Sequence, residues 1–143
     1  MNKSHKSGLE PLLKYRKSIE EQRRIELTNL MDKELIENQR LDDIRESQRL
    51  AQKELQAHKG KSNAYMMYLD DLSKQSVIQK NVIKDVKDKV ITKREQVVEA
   101  SKTKKTIEKV QSKRLEQYNQ FLLRQESKML DEIATNRFTR KDS

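Results

Sequence analysis

Only three residues of this chain, Gly8, Pro11 and Gly60, are of the types that most strongly interrupt regular backbone, and two of them lie close to its start. Gly punctuates a chain because it tolerates positive φ, and Pro because it fixes φ and lacks an N–H. Three such residues in 143 cannot punctuate a compact domain of many elements. Leu9 to Ala57 contains no Gly, and nothing after Gly60 breaks the chain until about Phe138. Hydrophobic residues are 33% and charged residues 38%, where ordinary domains run about 45–50% apolar, counting Gly, and about 25% charged. That is too little apolar surface for a thick core, but enough for a narrow seam between long helices. The expected fold is all-α: a long antiparallel two-helix coiled coil, an α-helical hairpin with an overhanging C-terminal helix.

The expected boundaries within a single domain spanning 1–143 are helix 1 at about 9–57, a turn at about 58–62, and helix 2 at about 63–138, with frayed termini. Ser7 with Glu10 three residues on reads as a capping box; a start at Pro11 itself is the rival. Gly60 suits the left-handed C′ position after His58 and Lys59, and Ser62 or Asn63 can cap the second helix. In helix 1 the apolar positions include Ile19, Leu27, Leu30, Leu35, Leu41, Ile44, Ala51 and Leu55. Ile19, Leu30 and Leu41 are eleven apart, as are Ile44 and Leu55, a spacing that keeps a stripe nearly straight. Helix 2 carries a cleaner heptad through Leu72, Ile83, Val86, Val90, Val97, Ala100, Ile107, Tyr118 and Phe121. Ser76, Gln79, Lys93, Lys104, Gln111 and Arg114 interrupt it.

At about 1.5 Å per residue the two helices measure roughly 73 Å and 114 Å. A short turn makes them antiparallel neighbours. With the turn near residues 60–61, Leu9 lies opposite residue 112 or 113, and everything from about Leu115 onward overhangs. The overhang still carries Leu115, Tyr118, Phe121, Leu122, Met129, Leu130, Ile133 and Phe138. An exposed apolar stripe marks an interaction site: either a foreign partner or a second copy of the chain.

Several classes of chemistry fall away. There is no Cys, hence no disulfide, thiolate metal site or cysteine nucleophile. His5 and His58 are the only histidines and have no spaced partner, so no metal or acid–base role is expected. Gly60-Lys61-Ser62 ends like a phosphate-binding loop but lacks its upstream Gly and strand. No enzyme activity, cofactor or metal is expected. The longest apolar run is Ala64–Leu69, far short of a membrane span. Glu10, Pro11 and Lys14 break the only run resembling an export signal. Charge is uneven: residues 74–114 hold 13 basic and 5 acidic residues. Such a stripe is either a solvated helix face or an attractor of nucleic acid, anionic lipid or an acidic protein. Near the turn, Tyr65, Met66, Met67, Tyr68 and Leu69 form either a plug closing the hairpin or a second binding surface anchored by tyrosines.

The run Gln125-Glu126-Ser127-Lys128-Met129-Leu130-Asp131-Glu132-Ile133-Ala134-Thr135-Asn136-Arg137-Phe138 resembles the C-terminal signature of the FliJ family, the flagellar type III export stalk. Looser similarity covers the whole chain: its length, Leu12-Leu13-Lys14-Tyr15-Arg16, the segment Tyr65…Tyr68-Leu69…Leu72, and Lys102…Lys105…Glu108-Lys109. The polar seam and the strongly basic second helix depart from it. The resemblance implies a non-catalytic coiled coil similar to the γ subunit of rotary ATPases. It implies three partners: the hexameric flagellar export ATPase, a membrane export gate protein and export chaperones. The terminal end of the hairpin would enter the ATPase ring through Leu122, Gln125, Met129, Leu130, Asp131, Glu132, Ile133, Arg137 and Phe138. The gate would be met through Tyr65, Tyr68, Gln75 and Ile78. The implied location is cytoplasmic, at the inner-membrane face of the flagellar base, with peripheral membrane association only and no specific nucleic acid. The alternatives are a basic scaffold for nucleic acid or anionic membrane, a homodimeric scaffold, and the equivalent injectisome stalk.

Overall fold

The computed structural model describes residues 8–142. Two helices account for nearly all of them: α1, Glu10–Ala57, and α2, Asn63–Asp142. They pack against each other as an all-α hairpin. The chain starts α1 at Glu10, with the Leu13 N–H donating to the Leu9 carbonyl at 2.7 Å. Ser7, the expected capping partner of Glu10, lies outside the described residues, as does His5. At the other end α2 runs past Phe138 to Asp142, and the Thr135 and Thr139 hydroxyls donate back to the carbonyls of Asp131 and Thr135.

The turn corrects one expectation. Lys59, not Gly60, takes the first left-handed position after α1 (φ 57°), and Gly60 follows it at φ 73°. The Gly60 N–H donates to the Leu55 carbonyl and the Lys59 N–H to the Gln56 carbonyl, each at 2.9 Å. This is the paired closure in which both residues beyond the helix satisfy its last carbonyls. A second left-handed residue is needed, and only the glycine adopts it without strain. Ser62 begins α2: its carbonyl accepts from the Met66 N–H at 3.0 Å and its hydroxyl from the Tyr65 N–H at 3.4 Å.

The hairpin divides into two compact units, Glu21–Glu99, which holds the turn, and the described residues of 1–20 with those of 100–143. In the first unit the shielded positions of α1 are Glu26, Asn38 and Ser47 beside a main line of Arg23, Leu27, Leu30, Glu34, Glu37, Leu41, Ile44, Gln48, Ala51 and Leu55. Steps of three and four residues join this line throughout, which is a heptad. The eleven-residue pairs Leu30–Leu41 and Ile44–Leu55 lie on this seam, because a step of eleven is also one heptad plus four. Leu35, expected among the apolar positions of α1, is off it at 71% exposed, while Glu37 is 5% exposed. On α2 the matching set is Tyr65, Leu69, Leu72, Ser76, Gln79, Ile83, Val86, Val90, Lys93 and Val97.

Polar side chains in and beside the two lines answer one another. The Gln79 side-chain amide donates to the Glu37 carbonyl at 2.8 Å and to its carboxylate at 2.6 Å, and Arg40 donates to the same carboxylate at 2.9 Å. The Lys93 ammonium reaches Glu26 at 2.6 Å. As the α1 number falls from 37 to 26, its partner on α2 rises from 79 to 93, the mark of antiparallel packing. In the second unit Leu13, Arg16 and Glu20 of α1 and Ala100, Lys104, Ile107 and Gln111 of α2 form the shielded seam. Glu20 is buried and Lys104 meets it at 2.8 Å. A buried carboxylate without such a partner would cost several kcal/mol, on the order of 3–5.

The Lys93 hydrogen bond, followed by the charges of Lys93 and Arg23, holds the Glu26 carboxyl below its ordinary range. A carboxyl whose pKa is lowered on folding stabilises the native state above the unfolded value, about 4.3 for Glu, and that stabilisation is lost as pH falls through the lowered value. Melting curves from pH 6 to pH 3 should therefore decline less steeply for Glu26→Gln than for the parent. Equal slopes would remove Glu26 from the acid response.

Candidate functional site

The longest unbroken exposed stretch lies in the second unit. Among residues 112–140 of α2 only Tyr118 is shielded, and it is half-buried; every residue from 119 to 140 faces solvent. This follows from helix length: α1 begins at Glu10, so no described helix lies opposite α2 past about residue 112. The part of the seam series that includes Phe121 and Arg114 is exposed for the same reason.

At about 100° per residue, Leu115, Tyr118, Leu122, Gln125, Met129 and Ile133 fall within a sector about 80° wide. Of the nine residues expected to meet the ATPase, this line holds Leu122, Gln125, Met129 and Ile133. Glu132 borders it on one side, Arg137 and then Leu130 on the other. Asp131 and Phe138 lie about 20° apart on the opposite side of the helix. The nine thus divide into an apolar front with charged borders and a lone aromatic at the back, Phe138, which is 69% exposed. The arrangement suits binding by surface burial. It offers no enclosed cavity, and among the described residues no group of three or more His, Cys, Asp or Glu could hold a metal ion.

The residues expected at the gate also divide. Tyr65 turns into the seam, its ring 5.8 Å from that of His58 and tilted by 41°. His58 in turn has Nδ1 2.8 Å from the Glu54 carbonyl, so this pair closes the hairpin end. Tyr68, Gln75 and Ile78 lie exposed within about 80° of one another. The cluster is therefore both things the sequence allowed: Tyr65 and Leu69 plug the hairpin, while Met66, Met67 and Tyr68 remain exposed. Met67 belonged to that cluster but not to the residues expected at the gate. It stands eleven positions before Ile78 on the same side, a spacing that could have flagged it.

No described helix is long and apolar enough to cross a membrane. A family model described as that of the flagellar FliJ protein matches residues 5–143. No curated protein and no solved structure matches the chain.

Proposed function

The chain belongs to the FliJ family of flagellar export proteins, and on that premise we propose that it is a non-catalytic stalk of the export apparatus. Its C-terminal overhang enters the hexameric export ATPase and promotes ring assembly, and the stalk links that ring to the membrane export gate. Handling of export chaperones belongs to the same role. The observation that supports the reading is the exposed segment 119–139, which no described helix faces and which nonetheless carries Leu122, Met129, Leu130, Ile133 and Phe138 in solvent. Surface of that kind is stabilised only when something covers it. Co-purification with the export ATPase, scored for ring formation, tests it: failure to associate would overturn the stalk role.

The gate contact rests on Tyr68, Gln75 and Ile78, with Tyr65 behind them as support. Tyr68→Ala should weaken gate binding roughly tenfold, the scale of a single aromatic anchor. Helicity and melting should stay unchanged, because the Tyr68 ring is exposed. A fall in melting temperature with gate binding intact would make Tyr68 part of the plug instead.

A further inference from the structure

One line of α2 inside the Glu21–Glu99 unit is free of carboxylates and faces solvent along its whole length. Steps of three and four residues join Val77, Lys80, Lys84, Lys87, Ile91, Arg94 and Val98, and every one is exposed. The line is the heptad flank on one side of the seam and extends about 30 Å. The other flank of α2 in this unit carries Asp71, Asp85 and Glu99 instead. An antiparallel pair sets like flanks side by side, so the row of α1 next to this line holds Arg24, Met31, Asn38 and Arg45; the row outside it includes the Asp42 carboxylate, 3.9 Å from Arg45.

The cations of the line are uncommitted. Lys74 is tied to Asp70 at 3.1 Å and Lys93 to Glu26 at 2.6 Å. Among the described residues Lys80, Lys84, Lys87 and Arg94 make no ion pair or side-chain hydrogen bond. Between them stand three β-branched aliphatic residues, each at least half exposed: Val77 60%, Ile91 55%, Val98 52%.

This mixture selects among anionic partners. A third helix would need a continuous apolar seam, and packing here would bury lysines between helices without partners. Nucleic-acid bases would find no aromatic ring to stack on, and aliphatic side chains gain nothing from phosphates. An anionic bilayer accepts both components. Lysine stems lie along the apolar boundary while their heads reach lipid phosphates, and the valines and isoleucine settle among the headgroups.

We propose that the Val77–Val98 line of α2 is a docking surface for an anionic lipid bilayer. This goes beyond the stalk role and does not depend on it. Vesicle flotation of the full chain tests it, with phosphatidylglycerol–phosphatidylethanolamine vesicles against pure phosphatidylcholine. Binding is expected to the anionic vesicles alone and to weaken as salt rises. The quadruple variant Lys80→Gln, Lys84→Gln, Lys87→Gln, Arg94→Gln should lower it by at least about tenfold. A control removing cations elsewhere in the unit, Lys33→Gln, Lys53→Gln and Lys89→Gln, should change it by less than about twofold. Ile91→Ser with Val98→Ser should lower it severalfold. Circular dichroism should show every variant folded, since all the substituted side chains are exposed. The proposal fails if the anionic vesicles do not bind, or if the control matches the quadruple variant. It also fails if the serine variant binds normally while a DNA duplex competes as well as the vesicles do, because general attraction to polyanions would then suffice.

Discussion

Truncation after Leu122 is expected to abolish stimulation of the export ATPase ring while leaving the helical hairpin folded. The two halves of that result have separate causes. Ring binding depends on apolar area, and removal of 123–143 takes away Met129, Leu130, Ile133 and Phe138, all of them exposed. Each such side chain is worth roughly 1.5–3 kcal/mol when buried, so losing two anchors weakens association a hundredfold or more. The hairpin survives because no residue from 119 to 139 is shielded by the described part of it. ATPase assays with circular dichroism read both halves. Normal activation by the shortened chain would refute insertion, and unfolding would refute the unpaired overhang. Within the overhang, Met129→Ser with Ile133→Ser should cost more activation than Phe138→Ser, because Phe138 projects from the opposite side of the helix.

The largest stability effect should come from the seam near the turn. Leu72 is 4% exposed and lies between the helices, so Leu72→Ala should destabilise the hairpin by about 2–3 kcal/mol. The low end of the usual range applies because a two-helix seam lets water reach the space left behind. A fall in melting temperature of about 5–10 °C follows for a chain of this size. Leu35→Ala should change stability by less than about 0.5 kcal/mol, as exposed substitutions do. The contrast tests the phase of α1. If Leu35→Ala proved as costly as Leu72→Ala, Leu35 would lie in the seam and Glu37 would face solvent.

The helices, the turn and the overhang were legible in the chain because each follows from local rules. Breaker residues are confined to the start and to Gly60, Ser62 offers a cap, and unequal lengths on either side of the turn leave α2 unpaired. On α2 the heptad was readable even through Ser76, Gln79, Lys93 and Lys104, because Leu72, Ile83, Val86 and Val90 set its phase. Membership of the FliJ family was legible in the C-terminal run, and the family match over 5–143 agrees with it. The overhang's apolar residues were also identifiable, but their division into a front with Leu122, Met129 and Ile133 and a back with Phe138 required helical geometry to be applied residue by residue.

The sequence by itself determined two long helices, their antiparallel return and the place where the pairing stops. Which polar residues the seam takes in was decided only in the tertiary structure. Leu27, Leu30, Leu41, Ile44, Ala51 and Leu55 already marked the buried side of α1, but the apolar pattern took in Leu35 and passed over Glu37. Glu37 meets Gln79 and Glu26 meets Lys93 in one unit, and Glu20 meets Lys104 in the other. Read along one helix, those glutamates look like solvated surface. Only across the seam do they become shielded groups with partners, because the cost of burying a carboxylate is offset by a residue far away in the chain.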